Sequence, residues 1–177
     1  MDYDLFYGTR IIVTDSFGNE RKCYNAENVA LAVDKFFNDN FRGLAEITID
    51  LPDDAELFIS IESYAMFFKE VIDFVKGRAL MKIHFSSKHG KMFMRMSSSP
   101  KLPCKFEEAS RFIKYARSVG FEIIRDEDGV IFTIDSKIKK HFRVYAPTIK
   151  DSVQMIANIF ESVYYRDSVL EKGKNQQ

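Results

Sequence analysis

The chain has 177 residues, 46% of them hydrophobic, and its 17 Phe and 8 Tyr supply the bulk of a sizeable single-domain core in the absence of Trp. Its 26 basic and 26 acidic side chains cancel, so the basic excess that nucleic-acid binding draws on is missing. No apolar run approaches the ~20 residues of a membrane span, which leaves neither nucleic acid nor membrane as an expected partner.

In chain order, Arg10-Ile-Ile-Val-Thr14 and Arg21-Lys-Cys-Tyr24 read as two strands around Asp15-Ser-Phe-Gly18-Asn19, a turn of residues that tolerate positive φ. Asn25 suits a helix N-cap, and Val29, Ala30, Val33, Phe36 and Phe37 form one apolar face of a helix ending near Asn40. Ala45-Glu-Ile-Thr-Ile-Asp-Leu51 alternates as a half-buried strand does, followed by the turn Pro52-Asp-Asp54 and a short extended piece from Leu57 to Ile61. Ser63 is a candidate cap for a second helix, striped by Phe67, Phe68, Val71, Ile72 and Val75 and stopped at Gly77.

Leu80 to Phe85 and Met92 to Met96 flank Lys88-His89-Gly90-Lys91, a hairpin signal. The Ser and Pro content of Ser97-Ser-Ser-Pro-Lys-Leu-Pro103 predicts a solvent-exposed loop. Phe106, Ala109, Phe112, Ile113 and Ala116 mark a third helix closed by Gly120, with Phe112 at the centre of its core stripe. A second hairpin, Phe121–Ile124 with Val130–Ile134, turns at Asp126-Glu-Asp-Gly129. His141 to Tyr145 reads as one more strand, and Thr148-x-x-Asp151 resembles a capping box opening a last helix with Val153, Ile156, Ala157, Phe160, Val163 and Tyr164. The expected fold is α+β: a two-layer sandwich of a mixed, mostly antiparallel sheet with helices packed on one face. Residues 1–165 form one domain in this reading, and 166–177 a frayed tail with little to bury.

The stretch 44–135 resembles the nucleotide-binding half of the histidine-kinase-type (GHKL, or Bergerat) ATPase domain, the fold shared by gyrase, sensor kinases and MutL. Residues 1–43 and 136–165 are then additions to that frame. Ile47 through Ile61 looks like the family's strand, turn and short strand ahead of its first motif helix, and 120–134 like its closing hairpin. That helix carries a Glu and, four residues on, a magnesium-binding Asn. Glu70 matches the Glu, but Phe74 occupies the Asn position, and a phenyl ring cannot ligate a cation that takes oxygen donors. Asp73 is one step off, about 100° around the helix.

The strand after Met92 should lead into Asp-x-Gly-x-Gly, whose Asp accepts from the adenine amino group. Here Ser98 replaces the Asp, while Pro100 and Leu102 replace glycines that let backbone approach a nucleotide. The long Gly-rich lid over the phosphates is also missing, since Pro103 runs almost directly into the next helix. The resemblance therefore implies a degenerate ATPase frame with no cofactor, no metal and no catalytic set.

Two readings of function follow. The first is a non-catalytic protein-interaction or regulatory module in cytoplasmic signalling, with a protein partner or a second copy of itself. The second is a nucleotide-binding or kinase-like enzyme with a shrunken pocket near Glu70, Asp73 and Ser97–Ser99, where Glu70, Asp73 and Ser98 are the candidate binding residues.

Other signals have plainer readings. Cys23 and Cys104 lack metal-ligand spacing and read as reduced thiols, and the N-terminus, Met1-Asp-Tyr-Asp, opens no signal peptide. Lys137 to Arg143 reads as a basic, solvated strand edge. Asp126 to Gly129 lacks the ligand spacing of a calcium loop, Glu107-Glu108 favours a helix start, and His84, His89 and His141 are scattered with no partner base or nucleophile. Met81, Met92, Met94 and Met96 read as adaptable packing.

Overall fold

The structure, a computed structural model, describes residues 14–15, 17–102, 113–117, 119–126, 129–136, 148–149 and 152–175. The expected strand at 141–145, most of the 10–14 strand, Cys104, Glu107, Glu108 and Phe112 lie outside these residues.

The first hairpin turn forms as its residues dictate. The Asp15 Oδ1 accepts from the backbone N–H groups of Phe17 and Asn19 at 2.9 and 3.0 Å, Gly18 adopts φ +82°, and Thr14 bridges to Glu20. Strand β1 (Lys22–Asn25) follows and ends at the cap of helix α1 (Ala26–Asn40). The Asn25 Oδ1 accepts from the Asn28 N–H at 2.9 Å, which satisfies an otherwise orphaned donor of the first turn. All five residues of the expected apolar stripe of α1 are buried.

Strand β2 (Ala45–Asp50) alternates between half-buried and exposed positions, and β3 (Glu56–Ile59) leads into helix α2 (Ile61–Val75). The cap of α2 is Ser60, not Ser63: the Ser60 Oγ accepts from the Ser63 N–H at 3.2 Å. The chain enters the helix one turn earlier because Ile61 and Tyr64 belong to the core and extend the stripe backwards. Ser63 is itself buried, and its hydroxyl donates to the Asp15 carboxylate while accepting from Asn19 Nδ2 at 3.0 Å.

Strands β4 (Leu80–Lys88) and β5 (Lys91–Ser99) make a long hairpin whose turn residues, His89 and Gly90, take φ of +52° and +74°. This corrects the first three residues of the loop expected at Ser97–Pro103, while Pro100–Leu102 lie outside any strand and Pro103 lies outside the described residues. Ser97, Ser98 and Ser99 pair with Lys82, Met81 and Leu80, so the strand outlasts what its composition suggests. Pairing with a neighbouring strand outweighs the weak β preference of serine. Ser97, Ser98 and Leu102 are half-buried, and only Ser99, Pro100 and Lys101 are exposed.

Residues 113–117 and 119 are helical, and Gly120 closes that helix at φ +89°. Strands β6 (Glu122–Asp126) and β7 (Gly129–Asp135) complete a five-stranded sheet of order β2-β4-β5-β7-β6. The β2–β4 pair is parallel and the rest are antiparallel. A smaller sheet has the order β3-β1-β8, with β8 (Thr148–Ile149) parallel to β1. Thr148 is therefore in a strand rather than a capping box. Helix α3 (Val153–Asn175) starts later, where the Ser152 Oγ meets the Met155 N–H at 3.4 Å. It continues through most of the stretch read as a frayed tail. Glu and Lys are good helix formers, and a helix already docked on a core propagates without further apolar residues.

Alternation sends Met81, Ile83 and Phe85, Met92, Met94 and Met96, and Phe132 and Ile134 to the helical side of the sheet, where all are buried. Helix α2 lies over them: Phe67 sits edge-on to Phe121 and Phe132 at 5.5 and 5.0 Å between ring centroids. Helix α3 packs against both α1 and α2 through Phe160, which meets Phe36, Tyr64 and Phe68 at 5.9–6.2 Å. Such pairs add about 0.5–1.5 kcal/mol each beyond area burial. The two-layer α+β sandwich with helices on one face is the architecture that the strand alternation predicts.

Candidate functional site

The helix that carries Glu70 and Asp73 ends at the edge of the sheet where the strand that carries Ser98 also ends. Helix α2 ends at Val75, and β4 begins at Leu80 opposite Ser99, the last residue of β5. Ser98 shares the parity of Met92, Met94 and Met96, so its side chain lies on the helical face. Glu70 and Ser98 are thus on the same side of the sheet, both half-buried. The Ser98 Oγ accepts from the Leu102 N–H at 3.1 Å and folds the chain back over the strand end.

Asp73 does not join them. Its carboxylate takes a 2.9 Å salt bridge from Lys69, a lysine only 5% exposed, and a hydrogen bond from the phenol of Tyr164 on α3. Burial first, and then the Asp73 charge, hold the Tyr164 phenol above its ordinary pKa. Asp73 therefore serves the α2–α3 interface. Three residues of helix set it about 60° around the axis from Glu70.

Phe74 is half-buried and packs against the core cluster, with the Arg78 guanidinium 5.5 Å over its ring. Leu102 packs against the same cluster. The two positions where the family pattern puts a ligand and a glycine thus carry side chains that fill space. Among the described residues, no group of three His, Cys, Asp or Glu is placed to hold a metal ion. No described helix is long and apolar enough to cross a membrane.

The remaining sequence candidates are placed as follows. His84 is exposed on the outer sheet face and His89 sits in the β4–β5 turn, while His141 lies outside the described residues. Asp126 pairs with Gly129 across the β6–β7 hairpin, so Gly129 opens a strand rather than a calcium loop. Cys23 is buried, its thiol 3.6 Å from the Glu56 carboxylate. The four methionines are core residues.

Two polar arrangements carry no motif in the sequence. Arg21 donates to the Val119 carbonyl at 2.6 Å, lies 5.9 Å from the Phe58 ring, and faces the charge of Asp15, while burial holds its pKa below the ordinary value. The Lys69–Asp73 pair has an i, i+4 spacing that the sequence does display, but its third member, Tyr164, comes from a distant helix.

Solved structures share this fold. A nucleotide-free form of the catalytic domain of the histidine kinase ThkA does so with a TM-score of 0.50 at 16% identity, covering 68% of this chain and 99% of that one. The Acinetobacter baumannii histidine kinase AdeS gives a TM-score of 0.50 at 10% identity, over 68% of this chain and 69% of that one. The fold is that of histidine-kinase ATPase domains. No family model matches the sequence, and no curated protein is detectably similar to it.

Proposed function

We propose that this chain is a non-catalytic protein-interaction or regulatory module, built on a histidine-kinase-type ATPase frame that has lost its nucleotide and magnesium ligands. The observation that carries this reading is the pair Phe74 and Leu102. Both stand where the family pattern requires a cation ligand and a glycine, and both pack into the core cluster. Filling a pocket from within gains apolar burial and removes the oxygen donors that magnesium demands. Asp73, the nearest substitute donor, is already held by Lys69 and Tyr164.

In this reading residues 44–135 are the frame, and 1–43 and 136–165 extend it. The additions include β1 and α1, together with β8 and the start of α3, which supply two of the three strands of the smaller sheet and two helices of the helical layer. Such a module acts in signalling by occupying a partner rather than by transferring phosphate.

The alternative, a nucleotide-binding or kinase-like enzyme, draws on the common side of the sheet that Glu70 and Ser98 share. Thermal melting and calorimetry with ATP and magnesium separate the two. Ligand at 100 times its dissociation constant stabilises a protein by about 2.7 kcal/mol, a readily visible shift. The expected result is no shift and no hydrolysis. Saturable binding at micromolar affinity would establish the enzyme reading instead.

A further inference from the structure

Three connections converge at the end of the sheet that holds Ser98. They are Phe41-Arg-Gly-Leu44 before β2, Lys76-Gly-Arg-Ala79 before β4, and Pro100-Lys-Leu102 after β5. Because β2, β4 and β5 are neighbours in the sheet, these loops lie side by side across about 10 Å, two interstrand spacings. The Met81 N–H donates to the Leu44 carbonyl at 2.8 Å, and the Lys76 ammonium stands 5.2 Å over the Phe41 ring, which ties the first loop to the second.

All charge in these loops is positive. Arg42, Lys76, Arg78 and Lys101 are exposed, and no carboxylate interrupts them. In a chain whose formal charge sums to zero, this is a local field rather than a share of a general excess. Among the described carboxylates around these loops, Asp39 bridges Lys35 at 2.8 Å, Asp73 bridges Lys69, Glu161 accepts from Asn40 at 3.0 Å, Glu46 stands across the strand from Lys82, Asp126 lies two strands beyond β5, and Glu70 on α2 has an interaction of its own. Lys101 has an interaction of its own, so the surface rests on Arg42, Lys76 and Arg78. Two of these are laid over aromatic rings, Lys76 on Phe41 and Arg78 on Phe74, which reduces the freedom lost on binding.

We infer that this rim docks an acidic segment of a partner protein, with carboxylates meeting Arg42, Lys76 and Arg78, and apolar side chains meeting the half-buried edges of Phe41, Phe74 and Leu102. The inference rests on the non-catalytic reading, since a nucleotide would claim the same end of the sheet. A nucleic acid fits less well, because its affinity comes from neutralising many phosphates and this rim offers a handful of cations.

The test uses the full chain and a fluorescein-labelled peptide of alternating glutamate and leucine, followed by fluorescence anisotropy. The wild type is expected to bind, with affinity falling about tenfold or more in the triple variant R42E/K76E/R78E and falling again as salt shortens the Debye length. The double variant K88E/K91E, at the opposite end of the β4–β5 hairpin, is expected to bind as the wild type does. If the reversal variant does not fold by circular dichroism, R42Q/K76Q/R78Q takes its place with the same expected direction. Absent binding to the wild type, or equal losses in the triple and double variants, would overturn the inference.

Parallel calorimetry with ATP and magnesium distinguishes the failure of the parent reading. ATP binding that is lost in the triple variant would assign the cations to phosphates and overturn both. Concentration-dependent dimerisation by light scattering, abolished by the triple variant, would replace the acidic partner with a second copy of this chain.

Discussion

The phenol of Tyr164 on α3 donates a hydrogen bond to the carboxylate of Asp73 on α2, and Lys69 approaches the same carboxylate at 2.9 Å. The contact fastens the last helix to the helix that carries Glu70. Tyr164→Phe keeps the ring, which meets Phe36 and Phe41 at 6.2 and 5.1 Å, and removes only the hydroxyl. The expected loss is about 0.5–1.5 kcal/mol, the net worth of one hydrogen bond. Urea unfolding measures it, and an unshifted midpoint would show that the bond contributes nothing.

Phe67 is fully buried and touches the rings of Phe68, Phe121 and Phe132, so it joins α2 to the closing hairpin. Phe67→Ala is expected to destabilise by about 3–5 kcal/mol through lost burial and the cavity left behind. Denaturant titration checks this value. A loss below about 1 kcal/mol would mean the site collapses without penalty.

Gly120 is held at φ +89°, and a Cβ there would lie 2.6 Å from an Arg21 Nη2 that is anchored on the Val119 carbonyl. Gly43, at φ +77°, has open space around the same position. Gly43→Ala is expected to cost about 1–2 kcal/mol, from backbone strain alone. Gly120→Ala is expected to cost more, because Arg21 must also give up its carbonyl. Equal losses in thermal melts of the two variants would show that Arg21 shifts freely.

Burial chiefly, and then Glu62 and Glu20, push the Tyr24 phenol up to about 12 from its ordinary 10.0. The unfolded chain releases this proton near pH 10, while the folded chain keeps it until about 12. The contribution of Tyr24 is therefore complete below pH 10.0 and is lost as pH rises through about 12. Tyr24→Phe is expected to flatten the alkaline fall in stability without changing its slope near neutrality. Paired urea titrations across that range provide the measurement, and superimposable alkaline slopes would contradict it.

Much of this fold is legible in the sequence wherever the signal is local. The stripes of α1 and α2, the Asn25 cap and the His89–Gly90 turn depend on residues a few positions apart, and each appears as its spacing dictates. Ser97–Ser99 reads as a loop because serine has little β preference of its own, whereas its strand is imposed by Leu80–Lys82 alongside. The parallel pairings of β2 with β4 and of β8 with β1 leave no mark in either partner alone.

The candidate site divides in the same way. Glu70 and Phe74 are placed by helical periodicity. The role of Asp73 is set by Tyr164, whose approach depends on how α3 lies across α2, and no local pattern encodes that crossing.

The pairing of β8 with β1 places Thr148 and Ile149 beside Cys23 and Tyr24, and α3 then seats Phe160 among Phe36, Tyr64 and Phe68. During synthesis the early strand and both early helices emerge long before the segments that cover them. A nascent chain paused ahead of residue 148 would present an open sheet edge and a bare aromatic face, the kind of surface that chaperones hold and that aggregates. Completion of the domain must therefore wait for its last-made part, and contacts of such long sequence separation make closure slow relative to helix formation.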